Sequence, residues 1–168
     1  MSSLAAEIRK EQQGARKPSH NIYRDAIEAF SAQAQIHIAE EELVEFMVEV
    51  INFGRGESYL EKLYSEIADV EIVTTQLVYI FGIVDDVPEP SQLVTLETAA
   101  HACGMLVLAL KHLNRGRVSA DEVALRVRNV RQNIAGLRYM YGDQPIDNQK
   151  NIKLLRLRKR IDRGVWEG

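Results

Sequence analysis

The sequence predicts an all-α fold, a bundle of about six helices. Apolar residues recur at helical spacing almost throughout, and no stretch alternates with a period of two. Two Arg-Gly turns, Arg55-Gly56 and Arg115-Gly116, and two glycine stops, Gly82 and Gly142, cut the chain into helix-sized pieces.

Helices are expected at 20–34, 36–53, 58–82, 91–114, 119–141 and 148–163. The third and fifth start with Ser-x-x-Glu capping boxes, Ser58 to Glu61 and Ser119 to Glu122. Between the third and fourth, Val84 to Gln92 carries Asp85, Asp86, Pro88 and Pro90 and reads as the main linker, with Gly142 to Asn148 as the second. The chain then divides into a tail (1–19), a first helical unit (20–83), a second (91–142) and a basic C-terminal helix (148–168).

The two units look like a tandem duplication. Arg55-Gly56 and Arg115-Gly116, and likewise Gly82 and Gly142, are separated by one offset (115 − 55 and 142 − 82 both give 60). Windows 39–82 and 99–142 share seven identities, against roughly three expected from ordinary composition.

With 168 residues the chain can bury a real core without staples. The single Cys103 makes no intrachain disulfide and has no partners at zinc-ligand spacing, so it reads as a buried thiol. The first seventeen residues lack the apolar run of a signal peptide and no later segment is long enough for a bilayer, so a cytoplasmic protein that does not meet a membrane is expected.

Charge is distributed unevenly. Asp25 to Gly54 contains seven acids and no Lys or Arg, whereas Lys111 to Arg163 contains fourteen bases and five acids. Either the two regions pair with each other, or each meets an ion of opposite sign.

On the second helix Leu43, Phe46, Met47, Val50 and Ile51 form the expected core stripe, while Glu41, Glu42, Glu45 and Glu49 share an adjacent arc. Like charges at these spacings repel, and no base on that helix relieves them. On the third helix Glu66 falls inside the apolar stripe Leu63, Ile67, Val70, Val73, Leu77 and Phe81, with Asp69 at its margin. A carboxylate in such a stripe is costly unless paired or bound to a cation. Facing helices bearing Glu-x-x-Glu and Glu-x-x-Asp offer four oxygen ligands suited to Mg2+. A di-iron bundle would need Glu-x-x-His, and none of His20, His37, His101 or His112 has Glu three residues earlier.

Glu41-Glu42-Leu43-Val44-Glu45 followed by Glu66-Ile67-Ala68-Asp69 resembles the signature of the all-α NTP pyrophosphatases, the superfamily of MazG-like proteins, dimeric dUTPases and phosphoribosyl-ATP pyrophosphohydrolase. Gln35, the Arg-Gly turn and the segment Lys153 to Ile161 extend the likeness, the last toward phage-type members. The resemblance implies Mg2+-dependent hydrolysis of nucleoside triphosphates, dUTP or non-canonical ones among them, to a monophosphate and pyrophosphate, with Mn2+ able to substitute. It implies Glu42, Glu45, Glu66 and Asp69 as metal ligands and Glu41 as the residue that orients or deprotonates water or holds a further ion.

Substrate contacts are expected from Asn52 and Gln76 near the acids, and from Lys153, Arg156 and Arg160 for the triphosphate. Nucleic acid is not the expected partner, because no aromatic residues interleave with the C-terminal bases. A homo-oligomer, dimer or tetramer, is expected to cover leftover apolar faces. The second unit carries His101, Ala102, Met105, Arg126 and Asn129 where the first carries its acids, so it is expected to be a degenerate half that completes the bundle and shapes the pocket through Arg126 or Arg115. The rival reading is a helical nucleotide-binding or interaction scaffold that kept the fold without turnover.

Overall fold

The structure, a computed structural model, describes residues 21–84 and 94–164. Six helices make up the described residues: α1 (Ile22–Phe30), α2 (Ala32–Gly54), α3 (Leu60–Phe81), α4 (Leu96–Asn114), α5 (Ala120–Tyr141) and α6 (Asp143–Arg163). The α2–α3 and α4–α5 hairpins pack on each other, α2 against α4 and α3 against α5, and α1 and α6 cover the rest of α3. The expected all-α bundle is therefore what forms, and no helix among the described residues is long and apolar enough to cross a membrane.

The central helix is α3, which contacts α1, α2, α5 and α6. Its neighbours explain its composition: Leu63, Ile67, Ala68, Val70 and Leu77 are fully buried. They meet Leu43 and Phe46 of α2, Leu106 of α4, Val127 and Leu137 of α5 and Ile146 of α6 in one continuous core. Each such side chain contributes about 1.5–3 kcal/mol by leaving water. Cys103 lies in this core, where burial pushes its thiol up to about 12 and leaves it unreactive.

Both Arg-Gly turns close in the same way. Gly56 (φ 73°) and Gly116 (φ 68°) take the left-handed conformation, and the residue after each donates its N–H back to the carbonyl of Asn52 (2.9 Å) or His112 (2.8 Å). Gly82 ends α3 as expected, also left-handed.

Several expected boundaries differ. The first break falls at Ser31, not near residue 35. Ser31 has φ 84°, and its hydroxyl accepts from Ala34 N–H at 3.2 Å. The cap offsets about 1 kcal/mol of that strained backbone, and it places Gln35 in the first buried turn of α2. The expected capping box at Ser58 does not form: Tyr59 is the N-cap, without a side-chain bond, and the Ser58 hydroxyl instead donates to Glu49 Oε1. Buried Glu49 takes that proton donor across the hairpin, a better use of the serine than one more cap.

Helix α4 starts at Leu96 behind a reciprocal Thr95–Thr98 cap, later than the expected 91, and the main linker falls largely on 85–93, outside the described residues. The expected second linker is helix. Gly142 (φ 89°) turns the chain by itself, and α6 begins at Asp143 with Pro145 in the first turn, where no N–H is required. Ile51, expected in the core, is 52% exposed because α4 crosses α2 on the Leu43–Val50 side.

Part of the charge of the basic stretch is answered inside the fold, and Asp25 and Glu40 of the acidic stretch pair with Arg158 and Lys111. Glu71 of α3 accepts from Arg138 Nε (2.6 Å) and Nη2 (3.0 Å) of α5 and from Lys150 of α6, and Arg138 also reaches Asp143 (3.1 Å) and Asp147 (2.7 Å). Arg158 reaches Asp25 at 2.8 Å, so α6 is strapped to both α1 and α3.

Candidate functional site

Along α2 the positions 35, 38, 42 and 45 follow three- and four-residue steps, so Gln35, Ile38, Glu42 and Glu45 line one side of the helix. Facing them on α3 stand Lys62, Glu66, Asp69, Val73 and Gln76, and α6 roofs the space with Lys153, Arg156 and Arg160. Together they enclose a cleft of about 340 Å3. Four carboxylates and four basic side chains line it.

Oxygen atoms of Glu42, Glu45 and Glu66 lie within 4.8 Å of one another. Glu66 is only 4% exposed; one of its oxygens meets Lys62 Nζ at 3.2 Å and the other has no partner. Asp69 sits beside this trio and accepts from Lys153 of α6. Among the described residues three buried side-chain atoms find no hydrogen-bond partner within the protein, namely Gln35 Nε2, Glu66 Oε2 and Gln76 Oε1. All three belong to residues of this cleft. Leaving a buried polar atom unsatisfied costs about 1–3 kcal/mol, so their convergence marks a place built to receive polar atoms from outside the chain.

Crowded acids resist ionisation. Burial, then the charges of Asp69 and Glu45, push the Glu42 carboxyl up to about 8. Burial likewise raises Asp69, against the opposing hydrogen bond and charge of Lys153. The hydrogen bond and charge of Glu66 raise Lys62.

A folded value above the unfolded 4.5 makes Glu42 favour folding at low pH, a contribution lost as pH rises through about 8. Without metal, urea denaturation is therefore expected to show stability falling between pH 5 and pH 8 (roughly the interval between those values). Glu42→Gln should flatten that slope, and an unchanged slope would remove Glu42 as its source.

Most of the expected residues converge. Glu42, Glu45, Glu66, Asp69, Gln76, Lys153, Arg156 and Arg160 all line the cleft. Glu41 does not: it is exposed and borders a neighbouring groove with His37, Glu40 and Lys111. A step of one residue turns it about 100° from Glu42, out of reach of the cleft. Asn52 also lies outside, near the Arg-Gly turn, where its carbonyl accepts from Glu57 N–H. Lys62 went unnoticed in the sequence, although its i,i+4 spacing to Glu66 was a visible signal.

No residue of α4 or α5, Arg126 and Arg115 included, lines the acidic cleft within this chain, where α6 supplies the third side. Arg126 pairs with Glu122 at 2.9 Å and borders a separate cleft of about 200 Å3, with Thr98, His101, Ala102, Met105, Asn129 and Asn133. Shifted by 60, six of these seven positions (38, 42, 45, 66, 69 and 73) line the acidic cleft. This second cleft has no carboxylate in its lining.

Four donor groups, all oxygen, three of them clustered and one with an unpartnered buried oxygen, fit a hard divalent cation. Comparison of the chain with protein-family models, with curated proteins and with solved structures gives no match.

Proposed function

We propose that the chain is a Mg2+-dependent nucleoside triphosphate pyrophosphohydrolase working in the α2–α3–α6 cleft. The observation that carries the reading is the meeting of the clustered carboxylates with three unpartnered buried polar atoms and a row of bases in one cavity. The sequence resemblance to the all-α NTP pyrophosphatases supports it through the same acids.

In this reading Glu42, Glu45, Glu66 and Asp69 hold Mg2+, or Mn2+ in its place. The bound cation supplies neutralisation of phosphate charge and activation of a water for attack on phosphorus. Arg156 and Arg160, one helical turn apart and exposed on the roof, bind phosphate oxygens as fixed cations. Lys62, half exposed beside Glu66, can turn from the carboxylate to a phosphate. At the inner end Gln35 and Gln76 offer one unpaired donor and one unpaired acceptor beside apolar Ile38, Ile72 and Val73, an environment suited to the flat, polar-edged base of a nucleotide. Glu41, outside the cleft, has no part in this scheme.

The test is release of pyrophosphate from a panel of canonical and modified nucleoside triphosphates with Mg2+ or Mn2+. Turnover of at least one nucleotide is expected, dUTP and non-canonical substrates included in the panel. Arg156→Ala and Arg160→Ala should each raise KM about tenfold, the loss of one exposed charge-assisted contact. One observation favours a different reading: Lys153 already occupies Asp69. Metal binding by folded protein with no turnover on any nucleotide would favour the nucleotide-binding scaffold.

A further inference from the structure

Lys153 is placed differently from the other bases of the cleft. Lys62 is half exposed and shares a helix with its partner Glu66, so that pair opens at little cost. Lys153 reaches from α6 across to Asp69 on α3, with both side chains about four-fifths buried. Helix α6 is held by two separate sets of contacts. Its first half is fixed by fully buried Ile146, by Lys150 on Glu71 and by Asp147 on Arg138, none of which lines the acidic cleft. Its second half has no fully buried residue; its ion pairs are Lys153 with Asp69 and Arg158 with Asp25.

We infer that Lys153 is a built-in counter-ion of the cleft, and that a divalent cation competes with it for the Asp69 carboxylate and so loosens the second half of α6. The inference rests on the metal-site reading given above and concerns a residue that reading leaves aligned with the phosphate row. Lys153 holds one oxygen of Asp69, Oδ2, and a dication drawn to the Glu42, Glu45 and Glu66 cluster with Asp69 as a fourth ligand would set a second positive charge against that ammonium on one carboxylate. When the cation arrives first, Lys153 loses its partner and faces a like charge. The base is then released to meet an incoming phosphate, which ties nucleotide capture to prior loading of the cleft. In the empty protein the same contact holds the roof down over acids that would otherwise repel one another.

Competition lowers the apparent affinity of the cation by the fraction of molecules in which the pair is open. Lys153→Gln should therefore bind Mn2+ about five- to tenfold more tightly than wild type in the absence of nucleotide. Arg156→Gln removes the same charge from the same cleft without touching Asp69, and should change the affinity less than about twofold. The readout is free Mn2+ by electron paramagnetic resonance. Amide hydrogen exchange of wild-type protein is followed in parallel, with and without Mn2+. Faster exchange is expected over 151–163 when Mn2+ is added, with 143–150 unchanged, and this arm does not depend on the folding of any variant.

Equal Mn2+ affinity in wild type and Lys153→Gln, or a gain no larger than that of Arg156→Gln, overturns the inference while the metal site stands. So does exchange over 151–163 that slows or stays constant on adding Mn2+. Absence of Mn2+ binding to both proteins at millimolar concentration removes the metal site itself, and the competition with it.

Discussion

Glu66→Gln is expected to lower metal-dependent pyrophosphate release by about 10²–10³-fold, the usual loss when a fixed charge-stabilising group is removed, while the protein stays folded. Glutamine keeps the shape of the side chain and a carbonyl oxygen for Lys62, now 3.2 Å from Glu66 Oε1. It removes the charge from a position 4% exposed, where an unpartnered oxygen is costly unless something outside the chain meets it. Metal-free stability should therefore hold or rise, and Mn2+ affinity should fall. Steady-state kinetics, a Mn2+ titration and a urea transition on the same preparation separate these effects. Wild-type turnover in the variant would end the assignment of this cleft as the reaction site.

The second large effect is structural. Glu71→Ala should cost about 3–5 kcal/mol, the range for leaving one partner of a buried ion pair uncompensated. Glu71 and Arg138 are each about 15% exposed, and removing the carboxylate takes from Lys150 its ion-pair partner and from Arg138 one of three. Arg138 keeps Asp143 and Asp147, which places the loss toward the lower end of the range. Burial alone would push the Glu71 carboxyl up, but hydrogen bonds and charges from Arg138 and Lys150 outweigh it and hold the group below the usual 4.5. A depressed folded value contributes stability above the unfolded value and loses it as pH falls through the folded one. Wild type should thus weaken below about pH 4.5 and Glu71→Ala should not share that part of the slope. Urea midpoints across that range check both statements, and a loss under 1 kcal/mol, the scale of a surface pair, would mean the clamp does not hold α6.

Much of this architecture was legible in the residues. The Arg-Gly turns and Gly82 are punctuated by backbone conformations that glycine alone adopts cheaply, so they sit where expected. Glu66 announced itself because a charge in an apolar stripe violates the burial pattern around it. The convergence of Lys153, Arg156 and Arg160 followed from their spacing of three and four along one helix.

What stayed hidden depended on partners from distant parts of the chain. Ser31 breaks a helix with neither glycine nor proline, so the apolar pattern runs through it unbroken. Ser58 left its expected cap for Glu49 because the hairpin brings a buried carboxylate within reach. Glu41 and Glu42 differ by one residue, and only the course of α3 decides which of them looks into the cleft. The pairing of Lys153 with Asp69, 84 residues apart, has no local trace.

A cleft lined by four acids and four bases is nearly neutral seen from afar. Opposite charges a few ångströms apart cancel beyond roughly a Debye length, about 8 Å at physiological ionic strength. Without a bound cation such a surface neither repels a polyanion nor gathers one from solution, and only a dication loaded into the cleft would tip the balance toward attracting a nucleotide. All discrimination is left to the last few ångströms, where the separated carboxylate and guanidinium halves are each felt alone.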